Sequence, residues 1–587
     1  MSLICGIFAH DAGRSIPSSW RDTFQRNLSR KGHGTLVEHE GPGVYLAKLN
    51  IGAFETPGWR VAGASIAAMG GDSLLPTRPV GAERDADLET LASAPADKLA
   101  ALLRPSRGQF ALVTVREPEH ELLLATDRLG VRPIYVFSNG DFVVFSSVLR
   151  LIEALPDTRL TADLQGTLEE AAFGISIGDR TRYAEVKSLR GATILRAQRG
   201  SIRTDEYWRW DTGACQTIIQ DTTEGMQRLH AAFADSVRIR LGKNKAVFAA
   251  LSGGLDSRCV VTELRAQNAE VHTLNVSWKG SQDEVFGKQY ADAIGAIHHP
   301  TVLPDEQVGG QVAILVYESL MANGHVLSHE PAKHRVWGGD GGSVGIGHVY
   351  LSPPVVRLMR EQGPEAATRE FLRYNTIALA QKAFRADYGN YAANLPLRTM
   401  TDELKRLDCR DPARALFVFL LENDQRRHLT AQWELFDLYP HEFVEPFYDP
   451  EVLTAACQLP LDFCLRHHMY HQWLRTFSEP AYTIPWQSYP GHEACPVKVP
   501  DGLMSQFGVA RGALTAVRRE QAKKDAQSAI RNLGMLRSYL SVPVLLGAYL
   551  AFQLRISEPL YIFKQVGLLS KVLNRCEGRV QALNAHS

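Results

Sequence analysis

Paired cysteines are what this sequence most plainly lacks. Its eight cysteines, Cys5, Cys215, Cys259, Cys409, Cys457, Cys464, Cys495 and Cys576, stand apart with no Cys-x-x-Cys spacing. That excludes a zinc ribbon and gives no disulfide framework, and it predicts reduced thiols in a cytoplasmic setting. Net charge is missing too. Lys and Arg number 64 against 64 Asp and Glu, so bulk charge recruits no nucleic acid. Long apolar runs are also absent. Leu540 to Val566 comes nearest, but Gln553, Arg555, Glu558 and Lys564 interrupt it, and it reads as a docked helix pair and not as a membrane span. No basic segment precedes an apolar core at the N-terminus, so no secretory signal is expected. Internal repeats and low-complexity tracts are absent. What is present is ordinary: 45% hydrophobic and 22% charged over 587 residues, enough chain for about two to four domains.

One stretch organises the remainder. Ala249-Ala250-Leu251-Ser252-Gly253-Gly254-Leu255-Asp256-Ser257 follows the apolar run Ala246-Val247-Phe248, which predicts a buried strand. Ala249-Ala250 leads into the turn, and the turn precedes Arg258 to Ala266, whose apolar spacing predicts a helix. Glycines between a strand and a helix let the backbone approach an anion, and the helix start offers unpaired N–H groups and a positive dipole end. The hydroxyls of Ser252 and Ser257 add donors. Asp256 would repel a bare phosphate, so it predicts a Mg2+ ion between the two. No lysine follows the glycines, which separates this loop from a P-loop.

The rest of the chain falls around that loop. Residues 1 to 205 read as short strands with turns, among them Leu3 to Ala9, Phe110 to Val115, Leu122 to Ala125, Ile134 to Phe137 and Phe142 to Phe145. Helices are predicted over Trp20 to Arg30 and Ala162 to Ala172, and the mixture suggests a layered α+β domain. Residues 206–224 read as a connection. Met226, Leu229, Phe233, Val237 and Leu241 line one face of a helix predicted from Gly225 to Gly242. Val271 to Val276 reads as a second strand, and Ser281 as the N-cap of a helix with Asp283 and Glu284 in its first turn. His298-His299 reads as the end of that unit. Such a β-α-β-α succession predicts a parallel sheet with the glycine loop at a strand's carboxyl end, where these sheets bind ligands. A second glycine turn, Gly338-Gly339-Asp340-Gly341-Gly342, again predicts close approach of backbone to a ligand. Residues 351–500 are helical in pattern. The loop Pro485 to His492 reads equally as a substrate cover or a packed loop. Arg511, Arg518, Arg519, Lys523, Lys524, Arg531 and Arg537 predict a solvated helix face.

Resemblances attach to these residues. Ser252 to Ser257 resembles the pyrophosphate loop of the N-type ATP pyrophosphatases, which cleave ATP between the α- and β-phosphates. Cys5-Gly6-Ile7-Phe8 resembles the N-terminus of class II glutamine amidotransferases. Gly108 to Leu112, Ala125 to Tyr135, Phe145-Ser146-Ser147 and Tyr207-Trp208 are similar to the same domain in asparagine synthetases. Taken in this order, over residues 3 to 500, they resemble the asparagine synthetase family, which includes β-lactam synthetases and lasso-peptide cyclases. The resemblance implies a mixed α/β and α+β chain. An Ntn-type αββα amidotransferase-like domain would occupy 1–205, and a linker 206–224. An adenine-nucleotide α-hydrolase-like parallel-sheet domain with many helices would occupy 225–500, and a C-terminal helical extension 501–587. It further implies a cytoplasmic ATP- and Mg2+-dependent ligase that joins a small-molecule or peptide carboxylate to an amine or ammonia. AMP and pyrophosphate would be released. Neither a nucleic-acid partner nor a membrane span is implied, and homo-oligomerisation stays open.

The site residues implied by the resemblance are these. Leu251, Ser252, Gly253, Gly254, Asp256, Ser257, Val276, Gly338 and Gly339 would hold ATP and its pyrophosphate, with Asp256 on Mg2+. Asp340 and His471 would face the reacting groups. Cys5, Lys48, Asp72 and Asp87 would serve glutamine. The chain also departs from the family. Ser343 and Val344 stand where two acids are usual, Val444 for an Arg, His471 for a Lys, and Lys48 for an Arg. Gly70-Gly71-Asp72 stands for Asn-Gly-Glu, and Lys498 is the candidate to replace the lost Lys. Three readings follow: a ligase acting on an acid other than aspartate, a true glutamine-hydrolysing asparagine synthetase, and an inactive nucleotide-binding scaffold. A tRNA-modifying pyrophosphatase is disfavoured by the amidotransferase-like half and the lack of a basic domain.

The departures point away from glutamine hydrolysis. In class II amidotransferases the nucleophilic cysteine is the first residue, and its own α-amino group is the base. Here Met1-Ser2-Leu3-Ile4 precede Cys5, which leaves it an amide nitrogen. Glutamate release from glutamine is therefore expected to be the same in the unaltered protein and in Cys5→Ala, and intact mass is expected to show a chain starting before Cys5. A mature chain beginning at Cys5, with release that depends on it, would reverse this expectation.

Overall fold

The computed structural model describes residues 3–79, 81–303, 312–505 and 512–581. Met1, Ser2, Arg511 and the side chain of Arg518, all noted above, lie outside the described residues. The chain divides into two compact units. The first comprises Met1–Pro156, Leu189–Leu351 and Cys409–Val509, and the second Asp157–Ser188, Ser352–Asp408 and Ala510–Ser587. Sequence order alone does not reveal this grouping, because the C-terminal segment joins two insertions far upstream of it.

In the first unit, strand Leu3–Ala9 lies between Val44–Asn50 and Phe142–Ser146, antiparallel to both. All seven of its residues are buried, as expected for a strand covered on both faces. Gly6 cannot be replaced there, since a Cβ would sit 2.3 Å from the Phe145 ring. A second antiparallel sheet runs Ser201–Glu206, Thr193–Gln198, Glu121–Thr126, Gln109–Arg116, Ser65–Asp72, Trp59–Ala62. Ile4, Phe8 and Leu46 from the first sheet pack against Ile66, Val113 and Leu124 from the second. The outer face of the second sheet presents Met69, Leu112 and Leu123 to Leu88, Leu91, Leu99 and Leu103 of helices Arg84–Ser93 and Ala96–Leu103. Helices Ser18–Leu28 and Leu149–Glu153 pack on the other sheet. The layering is helix, sheet, sheet, helix.

The same unit holds a parallel sheet in the order Ile297–Leu303, Glu270–Trp278, Ala246–Ala250, Arg335–Trp337, Glu442–Val444. His298 and His299 belong to its edge strand; they begin an element and do not close the helical unit before it. The chain adds two strands on one side of Ala246–Ala250 and then two on the other. The order therefore reverses between Ala246–Ala250 and Arg335–Trp337, and a crevice opens at their carboxyl ends. Helix Thr222–Leu241 supports this sheet through Leu229, Phe233 and Val237, all buried.

Charged groups fasten the parallel sheet to the antiparallel ones. Asp449 caps helix Pro450–Gln458 at the N–H of Glu451, and is fully buried. Its carboxylate takes Arg107 at 2.9 Å and Arg240 at 2.7 Å. Arg132 pairs with Glu442, and the Gln109 side chain donates to the Glu445 carbonyl at 2.8 Å.

The second unit is mainly helical. Helix Leu164–Phe173 packs with Ala386–Lys405 and Leu560–Arg575, and Gly512–Arg531 lies along Leu560–Arg575. Glu169, fully buried, accepts from Arg180 at 2.7 Å and Thr399 at 2.9 Å. Leu540 to Val566 forms helix Val542–Gln553 and the start of Leu560–Arg575. Leu545 and Phe552 are buried while Leu550 is exposed, and no described helix is long and apolar enough to cross a membrane.

Asp449→Ala is expected to cost about 3–5 kcal/mol of stability, because it leaves the buried Arg240 without its acid, takes one of two acids from Arg107 and removes a helix cap. Chemical denaturation of the full chain, compared with Asp235→Ala on the half-exposed partner of Arg107, checks this; equal losses in the two variants would remove Asp449 from that role.

Candidate functional site

Two glycine turns meet at the crevice. The first leaves strand Ala246–Ala250 and enters helix Asp256–Ala266. Its backbone is tethered: Leu251 N–H donates to the Leu274 carbonyl at 3.0 Å, and Asn275 Nδ2 to the Leu251 carbonyl at 2.8 Å. Gly253 N–H donates to Asp283 at 2.8 Å. A side chain at Gly253 would approach the Gln282 carbonyl to 2.7 Å, so glycine is sterically required. The hydroxyls of Ser252 and Ser257 lie 3.2 Å apart, and Ser257 Oγ accepts the Ser252 N–H at 3.1 Å. Ser252 is exposed. Both hydroxyls thus stand at the mouth of a helix start, the arrangement that suits a phosphate group.

The second turn follows strand Arg335–Trp337. A Cβ at Gly339 would lie 2.6 Å from the Ser257 nitrogen, one at Gly342 2.6 Å from the Asp256 carboxyl, and one at Gly338 would overlap the Glu445 carboxyl. Gly341 has φ +91° and lies against Tyr448, which is the left-handed region that favours glycine. The glycines exist because the two turns touch.

Asp256 is the centre of this contact. Ser343 Oγ donates to its Oδ2 at 2.5 Å, and the Tyr470 hydroxyl to its Oδ1 at 2.6 Å. Burial raises its pKa to about 6, opposed by those two hydroxyls and aided by the nearby negative charge of Asp340. Ser343 therefore does not leave a gap where an acid is usual; it binds the remaining acid. Asp340 accepts from His428 Nε2 at 3.1 Å, and its N–H donates to Glu445 at 3.1 Å. His428 is raised above the usual imidazole range, chiefly by its bond to Asp340. Glu445 is fully buried, and burial pushes its pKa well up, with Asp340 adding to the effect. Tyr448, beside them, donates to Gln425 at 3.3 Å. Gln425 closes a π-helix, Leu420–Gln425, a form that often marks functional sites.

His471 is not one of the groups bonded to Asp256. It packs on Trp486 at 5.1 Å between ring centroids, and its Nδ1 lies 3.7 Å from Glu493. Burial lowers its pKa, so it is neutral at pH 7, unlike a lysine. Val444 is buried in the apolar core. Val276 lies half-buried on the strand beyond Asn275. The loop from Pro485 is packed: Arg258 donates to the carbonyls of Ala481, Ile484 and Pro485. Trp486 is buried, and Gln487 N–H donates to the Gly253 carbonyl at 2.9 Å.

The residues assigned to glutamine are not gathered around Cys5. Cys5 pairs across the sheet with Ala47 and Ser146, and Ile4 pairs with Lys48. Side chains alternate along a strand, so Cys5 and Lys48 project from opposite faces. Cys5 is fully buried, and burial raises its thiol well above the usual range. Lys48 is also buried, donates to the Pro57 carbonyl, and is lowered by burial and by Arg84. Asp72 and Asp87 do come together, but through Arg78, which binds both. Asp87 also accepts from Ser73 at 2.7 Å and Leu75 N–H at 2.9 Å, so its oxygens serve the fold.

Tyr470, Glu445 and His428 are the site residues that sequence reasoning missed. Tyr470 sits one position before the singled-out His471, and Glu445 one after the singled-out Val444. His428 carried no signal beyond its side chain type.

Asp256 is the carboxylate able to hold Mg2+ here. Among the described residues no group of three or more His, Cys, Asp or Glu forms a metal cage. Mg2+ ordinarily uses one or two carboxylates plus substrate phosphates, which a lone Asp256 beside the Ser343 hydroxyl satisfies.

The chain is similar to known proteins in two stretches. Residues 76–208 match a glutamine amidotransferase domain, and residues 228–322 match an asparagine synthase domain. Asparagine synthetase [glutamine-hydrolyzing] 3 of Bacillus subtilis (strain 168) is 26% identical over 220 residues, 34% of this chain and 35% of that protein. Asparagine synthetase [glutamine-hydrolyzing] 1 of the same organism is 24% identical over 215 residues, 36% of this chain and 33% of that protein. The chain thus spans about a third of the length of the curated relatives it matches. Among solved structures, the allosteric regulatory enzyme of purine biosynthesis is 11% identical, with a TM-score of 0.26, over 52% of this chain and 82% of that one; a likeness so faint carries no argument.

Asp256 makes a pH prediction. Its folded pKa lies above the ordinary carboxylate value, so between about pH 4 and 6 the folded state binds more protons and stability falls as pH rises. Asp256→Asn removes that burden. The variant is expected to be more stable than the unaltered protein by about 1–3 kcal/mol at pH 7 and no more stable at pH 4, read as the difference in melting temperature at the two pH values. A constant difference would exclude the raised carboxyl as its cause.

Proposed function

Because this chain belongs to the asparagine synthetase family, we propose that it is an ATP-dependent carboxylate–amine ligase whose acid substrate is not aspartate. The observation that carries the proposal is Asp256, set between two contacting glycine turns at the strand-order reversal of a parallel sheet. In this reading Ser252, Gly253, Gly254 and Ser257 receive the leaving pyrophosphate through hydroxyls and helix-start N–H groups. Leu251, Val276, Gly338 and Gly339 flank the adenosine. Asp256 would hold Mg2+, which supplies charge neutralisation on the phosphate oxygens. The substrate carboxylate attacks the α-phosphorus and pyrophosphate leaves. An amine then attacks the acyl carbon, and AMP leaves with the carboxyl oxygen. In this reading Asp340, which accepts from His428, would take the proton that the amine loses. Holding the reactants in line and neutralising the leaving charge is the main work of such a site.

The charges around the crevice support an acid other than aspartate. Val444 is buried among apolar groups and His471 is neutral, so two family cations have no counterpart. Asp340 and the buried Glu445 add acidic groups instead. An anionic side chain would meet repulsion here, while a neutral or cationic one would not. The buried Cys5 thiol and its separation from Lys48 favour ammonia or an amine over glutamine as the nitrogen source.

Pyrophosphate release from ATP, surveyed over a panel of acids and amines, tests the proposal. Asp256→Asn is expected to lower the rate about 100-fold, matching the ~3 kcal/mol that one charge-stabilising contact contributes to a transition state. Aspartate with ammonia is expected to be a poor substrate pair. Full activity in Asp256→Asn would sink the assignment of the site, and efficient turnover of aspartate would sink the substrate reading alone.

A further inference from the structure

Away from the glycine turns, a cavity of about 1070 Å3 opens inside the first unit. Phe54, Asp72 and Arg132 line it on the antiparallel-sheet side, and Arg240, Arg335 and Glu445 on the parallel-sheet side. Nearly every cation on its wall has an acid. Arg78 is held by Asp72 and Asp87, Arg107 and Arg240 by Asp449, and Arg238 by Asp235. Lys243 is held by Glu83, and Arg132 by Glu442.

Two lack one among the described residues: Lys245, which is exposed, and Arg335. Among the described residues no carboxylate forms an ion pair with it. Its Nη2 reaches only the Arg240 carbonyl, at 3.5 Å, and its buried Nε has no hydrogen-bond partner. Its guanidinium lies 5.3 Å from the centre of the Phe54 ring, and Arg84 lies 4.0 Å from that same ring. Arg84 donates only to carbonyls, those of Thr56 and Gly71. Arg132 is 3% exposed and leaves its Nη1 without a partner. Three guanidinium groups therefore share a small space. Arg335 depresses both Arg84 and Arg132, although burial is the larger cause for each. Burial lowers the pKa of Arg335 itself and outweighs Asp72 and Glu83, which favour its charge from a distance.

Buried cations without a partner are costly, and guanidinium N–H groups match oxyanions in geometry. We propose that this cavity is a binding site for a small anion, a carboxylate or a phosphate, held by Arg335 and by Arg132 Nη1 beside the Phe54 ring. The site shares none of these three residues with the glycine turns, so it stands or falls independently of ligase activity.

Calorimetric titration of the full chain in chloride buffer, without ATP, tests it with two probes, succinate and inorganic phosphate. At least one is expected to bind, and the one that binds identifies the source of the anion. Arg335→Gln is expected to weaken binding at least tenfold, Arg335→Lys to restore part of it, and Lys245→Gln, on the exposed rim, to leave it unchanged. Arg335→Gln is also expected to melt no lower than the unaltered protein when no anion is added, which verifies that the variant folds. Ser252→Ala is the control for the glycine turn. Binding lost in Ser252→Ala and kept in Arg335→Gln would put the anion in the turn and overturn the proposal. So would the absence of binding by both probes, or equal binding in Arg335→Gln.

Discussion

Asp256 is a carboxylate shared by two turns that belong to different strands. One glycine turn places it at the start of a helix; the other brings Ser343 to its Oδ2, and Tyr470 reaches its Oδ1 from a third segment. The glycines at 339 and 342 are consequences of that meeting, since any side chain there would strike Asp256 or the Ser257 backbone. The strand order matters for the same reason. Only because the chain adds strands to both sides of Ala246–Ala250 do the two turns emerge side by side. Local backbone freedom, sheet topology and site chemistry are one constraint here.

A second level of organisation is electrostatic and lies beneath the first. Glu442 begins the last parallel strand and Glu445 and Asp449 follow it; they meet Arg132, Gln109 and Arg107, which stand on or beside the antiparallel strands. Two of these contacts are buried ion pairs. Such pairs add little net stability compared with apolar packing, but breaking one side is costly. They fix which surface of one sheet faces the other, and they leave Arg335 without an acid of its own.

The same residues change the character of the crevice. Where a lysine and an arginine would give it positive charge, it has a neutral His471 packed on Trp486 and a Val444 turned into the core. Acidic groups gather instead, and two of them, Asp256 and Glu445, are raised by burial.

Much of the fold was legible in the sequence, because it rests on local signals. Apolar runs at Leu3 to Ala9, Phe110 to Val115 and Ala246 to Phe248 marked the strands Leu3–Ala9, Gln109–Arg116 and Ala246–Ala250. Ser281 does cap its helix, accepting the Glu284 N–H at 3.2 Å. The glycine turn announced its anion-binding geometry through side chains it does not have. What stayed hidden was non-local. His298-His299 was read as an ending because nothing in the dipeptide tells that Glu270–Trp278 will pair with it. Cys5 and Lys48 seemed to belong to one site until the register put them on opposite faces. Tyr470 and Ser343 were ordinary hydroxyls until the fold brought them, from positions far apart in the chain, to the two oxygens of Asp256. The sequence by itself determined the strands, the helix starts and the turn that can approach a phosphate, since these depend on neighbours a few residues away. The tertiary structure alone decided which carboxyl is gripped, which cation goes unmatched and which thiol is buried. Those depend on register and strand order, and contacts between distant segments have no local code.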